Sequence, residues 1–122
     1  MSRKFDDDFF VRVSTLAKKS TMTHKHGAII VRNNEIISEG VNHMAPFLMH
    51  KHSVHAEIDA LCKMRGKNKK FMEECTMLVV RIGPPSKDFA FKMSKPCKNC
   101  SDAILKSGIK RVFYSAEDGN IN

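Results

Sequence analysis

Two short stretches of this 122-residue chain hold side chains able to do chemistry together: His55-Ala56-Glu57, and Pro96-Cys97-Lys98-Asn99-Cys100 about 40 residues later. Cysteines three apart in the first turn of a helix lie on one face, so both sulfurs can reach one ion. A helix N-terminus also favours the thiolate that a metal requires. His55 offers a third, neutral ligand. Two thiolates offset the charge of Zn2+, and three protein ligands leave a fourth position open to water, as in a catalytic zinc site. Within a helix, residues two apart point to nearly opposite sides, but at its very start both can reach round the end to one point. There Glu57 can take a proton from an attacking water and pass it to a leaving group. Zinc makes this feasible at neutral pH by bringing the pKa of water down to about 7.

Taken alone, Cys97-Lys98-Asn99-Cys100 is equally a thioredoxin-like redox pair or half of a structural zinc site, with a loop histidine as fourth ligand. Pro96, the His-x-Glu and a helix start at both places favour the catalytic arrangement. Cys62 and Cys75 lie beside apolar residues and are expected to be buried, unpaired thiols. His24, His26, His43, His50 and His52 are expected to be solvated loop residues, the alternative being substrate binding or a second metal.

The elements that must position these groups follow from periodicity. Residues 56–64 form a helical pattern, with Ile58, Leu61 and Met64 offset from Asp59 and Lys63. A second helix runs from about residue 97 to 107 and is stopped by Gly108. Upstream, Phe9, Phe10, Val13, Leu16 and Ala17 give residues 6–19 a helical spacing, with three aspartates at the end where the dipole favours anions. Residues 27–32 and 35–41 read as a β-hairpin about Asn33-Asn34. Residues 76–82 are a buried strand and residues 111–115 a last one. Between them lie a polar, histidine-rich loop over 42–54, a basic connector over 65–70, and a loop after Gly83-Pro84-Pro85-Ser86 that holds Phe89 and Phe91. The order α-β-β-α-β-α-β predicts one domain over 1–122, a sheet with helices against it and a parallel crossover through the last helix.

Hydrophobic residues make up 42% and charged residues 28% of the chain, ordinary values for a soluble globular protein. No apolar run approaches the roughly 20 residues that span a bilayer. The charged start, Met1 to Asp8, does not resemble a secretory signal, so an intracellular, cytoplasmic protein is expected. The net charge of +8 favours an anionic partner, a nucleotide phosphate or a nucleic-acid backbone. Lys67-Asn68-Lys69-Lys70 is more readily a solvated loop than a binding patch.

The pairing of His-x-Glu with Pro-Cys-x-x-Cys is the signature of zinc nucleobase deaminases. Over most of its length the chain resembles the cytidine and deoxycytidylate deaminase superfamily. Ser20-Thr21 and His26-Gly27-Ala28-Ile29-Ile30-Val31 are similar to the deoxycytidylate branch, as is Gly40-Val41-Asn42 with Ala45-Pro46 after it. Ile109 to Ser115 is similar to the strand that follows the Cys-x-x-Cys helix. The resemblance implies a three-layer α/β/α fold with a mixed four- to five-stranded sheet. It implies zinc on His55, Cys97 and Cys100, and Glu57 as proton shuttle. Asn42 would hydrogen-bond the substrate's sugar or base, the alternative being a turn residue ending its strand. The Ala56 N–H would hold a base carbonyl, and the assembly would be a homo-oligomer.

The implied activity is hydrolytic conversion of cytosine to uracil in a nucleoside or nucleotide. A nucleic-acid deaminase like those acting on tRNA adenosine is the first alternative, favoured by the +8 charge and the Phe89/Phe91 loop. A catalytically silent zinc module is the second, and Glu57 counts against it. Val41 and His43 depart from the family's aromatic and glycine, and residues 83–95 are longer than usual. The few residues after Ser115 leave little room for a further strand and helix, so a divergent or minimal member is expected.

Overall fold

The computed structural model describes residues 7–44, 53–117 and 121. Ala45, Pro46, His50 and His52 lie outside them. Helix α1 (Asp7–Lys18) starts on acids and ends on Lys18, the polarity its dipole favours. It buries Phe9, Val13, Leu16 and Ala17. Strands β1 (Lys25–Arg32) and β2 (Glu35–Val41) are joined through Asn33 and Asn34, with φ of 52° and 62°. Asparagine tolerates this left-handed backbone, and a two-residue turn of that hand matches the twist of the hairpin. Two-residue strands β3 (His43–Met44) and β4 (Ser53–Val54) pair with each other. Then come α2 (Ala56–Cys62), α3 (Lys69–Glu73), β5 (Thr76–Ile82), β6 (Phe91–Lys92), α4 (Lys98–Ser107) and β7 (Arg111–Tyr114).

Strand β5 is the middle of a five-stranded mixed sheet. Along one edge it pairs antiparallel with β1, from Thr76 opposite Val31 to Ile82 opposite Lys25. Its other edge is shared: β7 runs parallel along Thr76–Val79, and β6 antiparallel along Arg81–Ile82. Two buried serines seal the seam. Ser94 Oγ donates to the Val79 carbonyl (2.9 Å), and Ser115 donates its N–H to Ser94 Oγ (2.8 Å) and its hydroxyl to the Lys92 carbonyl (2.7 Å).

Alternation along the central strands separates two cores. Ala28, Ile30, Met77 and Val79 face α2, α3 and α4, with Ala60, Met72 and Ile104. Ile29, Val31, Leu78, Val80 and Ile82 face α1. This is the three-layer α/β/α arrangement with a mixed sheet that the sequence implies. Strand–α4–strand is a parallel crossover, as expected. Three details differ. The basic stretch after residue 65 is not all connector, because Asn68 accepts from the Phe71 N–H (2.8 Å) and caps α3. The fifth strand comes from the loop holding Phe91, which pairs where β5 extends past β7. The polar loop after Asn42 contributes β3 and β4.

Candidate active site

Helix α2 is laid on β2 closely enough to exclude any side chain between them. A Cβ on Gly40 would collide with the Ala56 carbonyl and lie 2.6 Å from the Ala60 nitrogen. Hydrogen bonds fix the slide and rotation of the helix: Ser38 Oγ donates to the Ala60 carbonyl (2.7 Å), and Asp59 Oδ2 accepts from the Val41 N–H (3.0 Å). The start of α2 is thereby held at the end of the sheet. His55 is its N-cap, with extended φ and ψ of −72° and 151° and no side-chain cap, so the imidazole is available to something else. Cys97 is the N-cap of α4 in a similar conformation, and Cys100 sits buried in its first turn.

Both helix starts converge. His55 Nδ1 lies 3.2 Å from Cys100 Sγ and 3.7 Å from Cys97 Sγ. The three ligand atoms lie within 4.8 Å of one another and could hold a metal ion. Tetrahedral zinc with its usual bond lengths would separate such ligands by about 3.5–3.8 Å, so the cluster fits it. The charges fit too. Burial pushes the Cys100 thiol well above its usual range, and Glu57 and Cys97 add to the rise. The thiolate expected from the helix N-terminus is therefore opposed by burial at Cys100, and a dication is what would ionise it.

Beside this cluster is a cavity of about 310 Å³, lined among others by His26, Asn42, His55, Ala56, Glu57 and Ser94. Glu57 is 4% exposed. Burial raises its carboxyl above the ordinary carboxylate range, against the pull of its own backbone N–H and of His55. Ala56 is buried, and its backbone N–H belongs to the first helical turn, which has no partner within the helix. Asn42 is buried and braces the cavity wall. Its Oδ1 accepts from the His26 N–H (2.9 Å) and its Nδ2 donates to the His24 carbonyl (2.6 Å). One N–H of the amide group is left for another partner.

The other histidines do not behave alike. His24 is exposed at the cavity edge, and His43 sits on β3 with Nδ1 2.9 Å from the Val41 carbonyl. His26 is not a solvated loop residue. It lies on β1 with the parity of Ala28 and Ile30, and that alternation was the signal for its place in the wall. Burial pushes its imidazole down to about 4, helped by Arg81, His55 and His24, so it is neutral at pH 7. Ser94 was a further omission, with no local pattern to reveal it. Cys75 is buried as expected, but Cys62 is exposed. It follows the buried Ala60 by two residues, about 200° round the helix, and so faces away from the sheet.

The family model of the cytidine and deoxycytidylate deaminase zinc-binding region matches residues 3–116. The chain belongs to this deaminase family. A tRNA-specific adenosine deaminase of Buchnera aphidicola is 31% identical over 94% of this chain and 64% of the relative. A guanine deaminase of Bacillus subtilis is 30% identical over 75% of this chain and 49% of the relative. The chain thus spans between about half and two thirds of these curated relatives. The crystal structure of a dCMP deaminase from cyanophage S-TIM5, in complex with dCMP and dUMP, superposes with a TM-score of 0.67. Its identity is 21%, over 98% of this chain and 89% of that one, a likeness of fold. Zinc is the metal of the deaminase family, and His55, Cys97 and Cys100 are the cluster able to take it. No helix among the described residues is long and apolar enough to cross a membrane.

Proposed function

We propose that this chain is a zinc-dependent hydrolytic deaminase that converts cytosine to uracil in a nucleoside or nucleotide. The observation that carries the reading is the convergence of Glu57 on the same cavity as the His55/Cys97/Cys100 cluster. A structural zinc site has no use for a buried carboxylate there. Zinc held by His55, Cys97 and Cys100 would supply a water acidic enough to attack at neutral pH. Glu57 takes one proton of the attacking water to the ring nitrogen as oxygen adds to the amine-bearing carbon. It then carries the second to the amine; the C–N bond breaks, ammonia leaves and the carbonyl forms. The raised carboxyl pKa suits a group that must hold a proton between these steps. The Ala56 N–H holds the base carbonyl, and the remaining Asn42 N–H meets the sugar. Assembly into a homo-oligomer belongs to the same reading and is measured by sedimentation.

A second reading, deamination of adenosine in tRNA, is favoured by the Buchnera relative and by the net charge of +8. Ammonia release from a panel of cytosine and adenine nucleosides, their monophosphates and short single-stranded RNA and DNA separates the two. Release from cytidine or deoxycytidine species, abolished in Glu57→Ala, supports the first reading. Release confined to adenosine in RNA moves the substrate to nucleic acid. Silence across the panel with zinc bound contradicts both.

A further inference from the structure

The Cys-x-x-Cys at the start of α4 suits two chemistries, and only one of them is metal binding. Cys97 is the N-cap of the helix and Cys100 lies in its first turn, which the Ser101 N–H closes on the Cys97 carbonyl at 2.8 Å. Residues three apart in such a turn have Cα atoms about 5 Å apart. A disulfide asks for about 4.4–6.8 Å, so the two sulfurs can be joined by side-chain rotation on the existing backbone. Both already belong to a cluster whose ligand atoms lie within 4.8 Å of one another, and Cys62 and Cys75 are not members of it.

The two thiols differ in access, and the difference sets an order of reaction. Cys97 is exposed and lines the cavity of about 310 Å³, whereas Cys100 is buried behind it, 1% exposed. Oxidation favours accessible thiols poised beside a second, resolving cysteine. A small oxidant such as hydrogen peroxide therefore meets the Cys97 sulfur first. Cys97 S–H takes one peroxide oxygen to become a sulfenic acid, and water leaves. The Cys100 sulfur then displaces the hydroxyl of that acid. The S–S bond forms, and the hydroxyl departs with the Cys100 proton as a second water. The sulfurs together lose two electrons and the peroxide gains them. Two molecules of a thiol reductant return both hydrogens and leave as their own disulfide.

Metal and disulfide exclude each other. Two sulfurs on one tetrahedral zinc stand about 3.8 Å apart. In a disulfide they close to about 2.05 Å, and neither remains a thiolate able to ligate. His55 is then the cluster's one remaining ligand. We propose that Cys97 and Cys100 are a reversible, peroxide-sensitive modification site in which Cys97 is oxidised, Cys100 resolves it, and the resulting disulfide turns metal binding off. The inference rests on the geometry of the cluster and not on the identity of the substrate.

Peroxide titration of the zinc-loaded full chain tests it without turnover. Zinc release is followed with a chromogenic chelator, and the modified cysteines are mapped by alkylation, tryptic digestion and mass spectrometry. Trypsin cuts after Lys98, so the fragments bearing Cys97 and Cys100 stay together only through a disulfide. Zinc should leave in step with the appearance of the joined fragments, two hydrogens lighter than the separate pair. Dithiothreitol should separate them and restore zinc uptake. In Cys100→Ser the oxidation should stop at a Cys97 sulfenic acid that dimedone traps, and in Cys97→Ser the buried Cys100 should resist the same dose. The map of the unsubstituted chain carries the test even where a variant fails to fold. Zinc release with Cys97 as a sulfinic acid and no joined fragments overturns the switch. So does a disulfide to Cys62 or Cys75 in place of the expected one, or survival of both thiols at a dose that oxidises the exposed Cys62. A chain that forms the disulfide yet releases no ammonia from any substrate defeats the deaminase reading and leaves the switch standing; a working deaminase whose zinc resists peroxide does the reverse.

Discussion

The chemistry divides the four cysteines by what surrounds each sulfur. Cys97 is exposed but within reach of His55, Cys100 is buried beside the same imidazole, Cys75 is buried in the core, and Cys62 faces solvent. Thiol reactivity follows exposure and thiolate character. In the native zinc-loaded chain a brief alkylation should modify Cys62 and spare the other three. After chelation Cys97 should become reactive as well, while Cys75 stays protected by burial, which also raises its thiol pKa. Mass spectrometry of the digest reads all four, and protection of Cys97 unchanged by chelation would remove zinc from that sulfur. At this scale the sequence was most legible where chemistry imposes spacing. Two cysteines three apart and a His-x-Glu at a helix start have few other uses. His26 was legible only through the alternation it shares with Ala28 and Ile30, while Ser94 was not legible because its partners Val79 and Ser115 are far away in sequence.

Elements place these groups, and the contact of α2 with β2 is the tightest of them. Gly40→Ala puts a methyl group against the backbone at Ala56 and Ala60. Overpacking of this kind costs about 1–3 kcal/mol. Because the displaced turn bears His55 and Glu57, the variant should lose zinc affinity together with thermal stability. A variant that melts lower yet binds zinc as tightly would show that α2 moves without its first turn. Helix α1 is tied to β2 by Arg12, whose Nε and Nη2 lie 2.5 Å and 2.7 Å from the Glu39 carboxylate. The hydrogen bond from Arg12, then its charge, holds the Glu39 carboxyl below the 4.5 of the free group. A depressed carboxyl contributes stability that is present above the unfolded value and lost as pH falls through the folded one. Between about pH 5 and about pH 3 the wild type should therefore lose more stability than Glu39→Gln. Both side chains are partly exposed, so the difference should be about 1 kcal/mol or less. Denaturant titrations at the two pH values measure it. The α1 helix, the hairpin and β5 were readable from period and from Asn33-Asn34. Helix α3 and strand β6 were missed because five and two residues carry too little periodicity. The first is declared by its Asn68 cap and the second by the open edge of β5.

In the whole molecule two cores lie on opposite faces of one sheet, and the candidate site sits at the end of the face that carries α2, α3 and α4. Zinc would join the starts of α2 and α4, whose other contacts are already made by packing. The element order made a sheet with helices against it legible, and the resemblance to the deaminase superfamily implied its three-layer form. The sharing of one β5 edge by β6 and β7 was not legible, since it depends on two serines, Ser94 and Ser115, that meet across 21 residues of sequence. The whole account turns on one carboxylate beside one metal cluster. The most direct measurement is zinc content and ammonia release in parallel, for the wild type and for Glu57→Gln, on the best substrate of the panel. The account predicts one zinc per chain in both proteins and turnover in the variant reduced about 10²–10⁴-fold or more. A variant that keeps its zinc and still releases ammonia at the wild-type rate would contradict it.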